Sequence, residues 1–392
     1  MGASVALQVL CVLVICLAPA ASRAQSSAPM GLSMSTDSRI QSASGWWPTE
    51  GTASRESFVG TMVCSKCHAS KVATQQTNAM SHAAVRAADA EPFRQHDHFS
   101  ASVGPYHEEI VTRNDKSILT VTTSDNPASF STELGWAFGV GHMGQTYVYE
   151  KNGRFYESRL SYFASSKDLK ITPGPSHAAP SSLEDAAGRP METAESRRCF
   201  SCHTTASITK DQFDANGAML GVTCEACHGP GAAHVAAMKS GQPQQGSQAI
   251  MNPSRLDPVE SVDFCGACRR TWEDVVTSPT VGLGVLNARF APYRLENSKC
   301  WSKPDARLTC IACHDPHLPL EHDAAAYDSR CLLCHVNQPG AKTTADFPGA
   351  ACPVSTKNCV TCHMPKIESP VQHSSFTDHW IRIVRAGQPY PN

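Results

Sequence analysis

The first pattern along the chain is a nearly unbroken apolar run from Val5 to Leu17. It is too short to cross a bilayer comfortably. Small residues follow, and Ser22-Arg23-Ala24 before Gln25 fits a signal-peptidase site, although no Lys or Arg precedes the run. Residues 1–24 are therefore expected to be a cleaved signal peptide, with a retained anchor as the alternative. No later segment is apolar and long enough to span a membrane, so no transmembrane anchor is expected after cleavage. Residues 25–57 are rich in Ser, Thr, Ala, Gly and Pro and read as a flexible leader whose one sticky feature is Trp46-Trp47.

Beyond the leader the pattern changes twice. Cys64 to Ala88 lacks Pro and Gly and is rich in Ala, Lys and Gln, which predicts a helix. Residues 107–163 alternate in the manner of strands: Ile110, Val111, Ile118, Leu119 and Val121 flank an Asn114-Asp115 turn, and Asn152-Gly153 is a hairpin signal. Lys170 to Arg198 reads as a Pro- and Ser-rich connection. From Cys199 onward, Cys-containing turns alternate with short Ala-rich stretches such as Gly231 to Lys239. These patterns predict a mainly α, loop-rich fold with a small β insertion at about 107–163. The expected divisions are 58–198 and 199–392.

Composition sharpens this. The net charge of −2 offers no basic field for nucleic acid or anionic lipid. Aromatic residues make up only 7% of the chain, thin for a core of this size unless another group supplies flat apolar surface. The 18 Cys and 17 His are out of proportion and point to disulfides, metal sites or attached cofactors.

Six copies of Cys-x-x-Cys-His account for most of them: Cys64-Ser-Lys-Cys67-His68, Cys199-Phe-Ser-Cys202-His203, Cys224-Glu-Ala-Cys227-His228, Cys310-Ile-Ala-Cys313-His314, Cys331-Leu-Leu-Cys334-His335 and Cys359-Val-Thr-Cys362-His363. Composition alone would produce about 0.04 such matches. Two thiols three positions apart reach the two vinyl groups of one haem, and the next residue then lies under the iron, where His offers a neutral nitrogen. Zinc sites need a second ligand pair and do not demand a trailing His, and iron–sulfur clusters take four Cys without it. The pattern therefore predicts six haem c groups. A seventh pair, Cys265-Gly-Ala-Cys268, is followed by Arg269, a permanently charged and poor ligand. Either a seventh haem is held there with a ligand from elsewhere, or the two thiols form a disulfide. Cys300 and Cys352 stand outside all pairs and are candidates for a disulfide of their own.

Haem iron takes two axial ligands, and eleven His remain after the six proximal ones. Bis-His ligation is the economical reading. Local context favours His82, His234, His317 and His379 as distal ligands, followed by His142, in a Gly-rich turn, and His373, beyond the last motif.

The stretch Gly221-Val-Thr-Cys-Glu-Ala-Cys-His-Gly-Pro-Gly-Ala-Ala-His234 resembles the haem-binding core of multihaem cytochromes related to hydroxylamine oxidoreductase and its tetrahaem cytochrome partner. Val59-Gly-Thr-Met-Val-Cys-Ser-Lys-Cys-His68, Cys362-His-Met-Pro-Lys366 and Phe376-Thr-Asp-His-Trp-Ile-Arg382 are similar to bacterial proteins of this type. The resemblance spans roughly residues 58 to 385. It implies haems that stack in parallel or meet edge-on, mostly bis-His iron, and distal roles for His82, His234, His317 and His379. Arg269 departs from it, because the relatives usually carry His there.

Two function classes follow. The first is a periplasmic or extracellular electron carrier, exchanging electrons with redox partner proteins, quinol-linked or other cytochromes, in which the protein fixes haem spacing, ligation and burial. The alternative is a multihaem oxidoreductase acting on a small nitrogen oxyanion or hydroxylamine at one open haem, for which the sequence offers no catalytic constellation. A third reading, a subunit of an outer-surface haem polymer, would give the β segment a docking role.

Overall fold

The computed structural model describes residues 46–124, 126–174, 178–277, 284–301, 308–335, 351–385 and 387–388. The expected signal peptide and the first part of the leader lie outside them.

The expectation of a mainly helical chain is corrected: the described residues are 37% helix and 25% strand. The strands belong to more than a small insertion. Six antiparallel strands form one sheet: β1 (Ala84–Arg86), β6 (Trp136–Val140), β7 (Gly144–Lys151), β8 (Arg154–Phe163), then β9 (Asp168–Ile171) and β10 (Gly188–Pro190), both paired with β8. Four more, β2 (His98–Val103), β3 (Tyr106–Arg113), β4 (Lys116–Thr123) and β5 (Asn126–Leu134), form a second sheet in that order. The β module thus runs from 84 to 190, wider than the alternation at 107–163. Its outer strands β1 and β10 are three residues long and cannot display a period of two. The predicted helix over Cys64 to Ala88 ends at Gln75, and β1 begins at Ala84.

Both hairpin turns fall where expected. Asn114 (φ 50°) and Asp115 (φ 58°) join β3 to β4, and Asn152 (φ 54°) and Gly153 (φ 73°) join β7 to β8. Two successive left-handed residues match the right-handed twist of the strands they connect.

The sheets share a core. Ile110 and Leu119, directly opposite across β3 and β4, pack with Val121, Phe130, Tyr147, Tyr149 and Leu160. The module therefore has an apolar interior of its own. The other side of the six-stranded sheet is also covered: Trp136, Phe138 and Val148 pack on Phe200, which is fully buried. Phe200 lies between Cys199 and Cys202, so the sheet is fastened directly to a Cys-x-x-Cys-His turn.

The remainder is built on seven helices that carry the cysteine pairs, the sixth holding only the first cysteine of its pair: α1 (Thr61–Gln75), α2 (Thr193–His203), α3 (Cys224–His228), α4 (Pro258–Arg269), α5 (Cys310–Cys313), α6 (Asp328–Leu332) and α7 (Cys359–His363). Most are short because a Cys-x-x-Cys-His turn needs little more than one helical turn. In α1 the backbone leaves helical values at His68 (φ −115°, ψ 40°), the last residue of the motif. After α3, Gly229 adopts φ 78°, a conformation that favours glycine and stops the helix. Helix Ala232–Lys239 forms where the Ala-rich stretch was expected. Among the described residues no helix is long and apolar enough to cross a membrane.

Candidate haem-binding site

Three pairs of imidazoles face each other at nearly one separation. The ring centres of His68 and His234 are 6.3 Å apart, those of His228 and His317 6.0 Å, and those of His314 and His379 6.3 Å. Two imidazoles on opposite sides of one metal, each with a metal–nitrogen bond of about 2 Å, place their ring centres about 6 Å apart. Each pair joins a His that ends a Cys-x-x-Cys-His motif to one from a distant segment. The paired cysteines, the facing imidazoles and their separation all fit a haem.

The second nitrogens are tied back to the protein. Nδ1–H donates to a backbone carbonyl from His203 (Ala83, 2.9 Å), His228 (Met251, 2.9 Å), His234 (Gly246, 2.8 Å), His363 (Arg382, 2.9 Å) and His379 (Thr377, 2.9 Å). His317 donates to the Asp315 carboxylate at 3.1 Å. A carbonyl can only accept, so Nε2 carries the lone pair in each of the five rings bound to one. This is the second-shell arrangement typical of metal-bound histidine. Burial also holds His203, His228 and His314 below the usual histidine range and His379 down to about 4. These rings are neutral at pH 7, as a ligand must be.

Buried carboxylates set the motifs against one another. Glu225, inside the Cys224–Cys227 spacer, accepts from the N–H groups of Val59 (2.8 Å), Gly60 (2.7 Å) and Gly231 (2.8 Å). It thereby joins the start of α1, which carries His68, to the start of the helix that carries His234. Asp328 accepts from Asn358 (2.7 Å) and Cys359 (2.8 Å), joining α6 to α7. Asp378, next to His379, is fully buried against the guanidinium of Arg294, at 2.8 and 3.0 Å. Burial raises the Asp378 carboxyl, but the bonds and charge of Arg294 outweigh it and hold the group below its ordinary value. Trp46 donates its indole N–H to Ala226 at 2.9 Å, and Trp47 packs on Phe264. The sticky pair of the leader is therefore docked on the α3–α4 region. None of these contacts was legible in advance. Most of their partners lie tens to more than two hundred residues away, and a Glu in a spacer or a Trp in a leader carries no mark of burial.

The other candidates are less clearly placed. His82 donates its Nε2–H to Gln76 at 2.8 Å, leaving only Nδ1 with a lone pair. His82 and His142 line a groove of about 600 Å³ together with Asp89, Glu91, Arg94 and Gln145, and no cysteine lines it. His373 sits at a turn (φ 47°) with its ring against Phe163, 4.7 Å between centres. Cys352 carries a free thiol, so the Cys300–Cys352 link is not formed in the structure.

Residues 163–229, which contain the second and third motifs, match the family described as Cytochrome c554 and c-prime. The chain is 24% identical over 220 residues to the multiheme cytochrome MtrA of Shewanella baltica, covering 47% of this chain and 66% of that protein. It is 23% identical over 181 residues to the high-molecular-weight cytochrome c of Nitratidesulfovibrio vulgaris, covering 38% of this chain and 31% of that protein. The comparisons and the repeated motif together support a multihaem c-type cytochrome. The matched part spans just under two thirds of the first relative and about a third of the second. No solved structure matches.

Proposed function

We propose that this cytochrome is an exported electron carrier, periplasmic or extracellular, holding six haem c groups at its Cys-x-x-Cys-His turns. The proposed axial pairs are His68 with His234, His228 with His317, and His314 with His379. Their common separation of 6.0–6.3 Å is the observation that carries the reading. His203, His335 and His363 take the proximal positions of the other three haems. A bound haem supplies a one-electron carrier whose potential follows its ligands and burial. The chain's own residues do the rest. The carbonyl bonds to Nδ1 orient the rings of His203, His228, His234, His363 and His379 and fix their tautomer. Burial keeps the rings of His203, His228, His314 and His379 neutral. Glu225, Asp328 and Asp378 hold one motif at a set distance from the next. Bis-His ligation favours lower potentials than His/Met, which suits exchange with quinol-linked or other cytochromes. The flanking residues favour kinship with the hydroxylamine oxidoreductase-related cytochromes.

The test is the spin state of the oxidised protein after His234→Ala, His317→Ala and His379→Ala. Each variant is expected to turn one haem from low-spin to high-spin while the haem count stays constant. Variants whose spectra match the parent would refute the pairing.

A further inference from the structure

Helix α4 carries the one cysteine pair without a trailing histidine, yet its backbone is that of a haem-attachment turn. Asp257 caps its start, accepting from Glu260 N–H at 2.9 Å, with Pro258 in the first turn. Arg269 is its last helical residue, the place that His203, His228 and His363 occupy in α2, α3 and α7. The chain then turns sharply at Arg270 (φ 69°), as it does at Gly229 (φ 78°) after His228.

Position is the stronger observation. The Cys268 thiol lies against that of Cys202, and the Cys265 thiol against that of Cys310. Cys202 Sγ also reaches the Ala267 carbonyl at 3.6 Å. Helix α4 packs on both α2 and α5. Phe264 and Ala267 also pack with Trp47 and Cys227 of the third motif. Elsewhere Cys64 lies by Cys224, Cys331 by Cys359, His314 packs on Tyr327, which precedes α6, and His228 faces His317 just beyond the fifth motif. Among the described residues, α4 is thus where three groups of motifs meet: the first and third, the second, and the fifth to seventh in chain order.

Resting on the carrier reading above, we infer that Cys265 and Cys268 hold a seventh haem at this junction, with the guanidinium of Arg269 in place of a motif imidazole. Attachment adds each S–H across one vinyl C=C: a C–S bond forms, the hydrogen passes to the other vinyl carbon, and nothing leaves. Arg269 keeps its proton and does not ligate, so a haem held here would lack a motif-side nitrogen and would be high-spin. The fixed positive charge acts on the His203, His314 and His379 rings. It favours the reduced state at the centre where the branches join.

Intact mass of the mature protein decides occupancy. Each attached haem adds about 616 Da, whereas a disulfide removes about 2 Da. Seven haem masses are expected, and six after Cys265→Ser with Cys268→Ser. Six in the parent, with or without the 2 Da deficit, would overturn this inference and leave the six-haem reading standing; fewer than six would sink both. Arg269→His supplies the missing imidazole. It should keep seven haems, abolish the high-spin signal and its response to cyanide, and lower one midpoint potential. A parent with seven haems and no high-spin signal would refute the role given to Arg269.

Discussion

Glu225→Gln tests whether a buried carboxylate, rather than the haem alone, sets the distance between His68 and His234. The side chain is 2% exposed and accepts three backbone N–H groups. One oxygen serves Val59 and Gly231, and the other serves Gly60. The amide can keep the first oxygen's two partners. Its NH₂ group then faces the Gly60 N–H, donor against donor. A buried N–H left unpaired costs about 1–3 kcal/mol, and the two surviving bonds lose their charge assistance. A total of about 3 kcal/mol follows. The effect is also local, because the contacts released are those between the start of α1 and the start of the His234 helix. Denaturant unfolding, followed by far-ultraviolet circular dichroism, should therefore show this loss. One haem should in parallel acquire high-spin character. An unfolding free energy within about 0.5 kcal/mol of the parent and an unchanged spectrum would refute the reasoning.

Three further outcomes are expected. Asp378→Asn removes the buried carboxylate shared by Arg294 and Arg382, which should cost about 3–5 kcal/mol in denaturant unfolding and loosen His379. Phe200→Ala removes a ring that packs at 4.9–5.4 Å on Trp136, Phe138, Phe155 and Phe213. It should cost about 3–5 kcal/mol, with limited proteolysis then separating the β module from the haem turns. Glu108 faces the interior of the sandwich beside Ile110, and burial pushes its carboxyl up to about 8, partly countered by Arg159. A group raised on folding contributes its full stability below its unfolded value near 4.5 and loses it as pH climbs through about 8. The loss is about 3 kcal/mol by pH 7. Glu108→Gln should flatten thermal stability across this range, and an equally steep parent-like profile would show that Glu108 is not the group responsible.

What the sequence revealed depended on whether the chemistry was local. The Cys-x-x-Cys-His turns and the Asn152-Gly153 hairpin were legible because all their requirements lie within a few residues. The extent of the β module was not. β1 and β10 pair with β6 and β8 across gaps of roughly 30 to 50 residues and are too short to show a period. The low aromatic content also misled, because the aromatics are concentrated rather than scarce: Phe93, Phe99, Tyr147 and Tyr162 meet in the sandwich core. There they build an apolar interior without any help from haem.

The facing imidazoles show the same limit from the functional side. His234, His317 and His379 could be named as candidates, but nothing near them said which motif each would face. His317 follows His314 by three residues and yet faces His228, while His314 faces His379 from the C-terminal tail. Sequence proximity is thus a poor guide, for a geometric reason: a His close behind its own motif lies on the same side of that motif's haem as the proximal ring. A ligand on the opposite side must arrive from elsewhere in the chain, and something must fix its approach. Glu225 does this between α1 and the His234 helix, and Arg294 with Asp378 does it for His379. Each contact sits beside a facing imidazole rather than on it. Substituting the carboxylates should therefore shift ligation while every thioether remains in place.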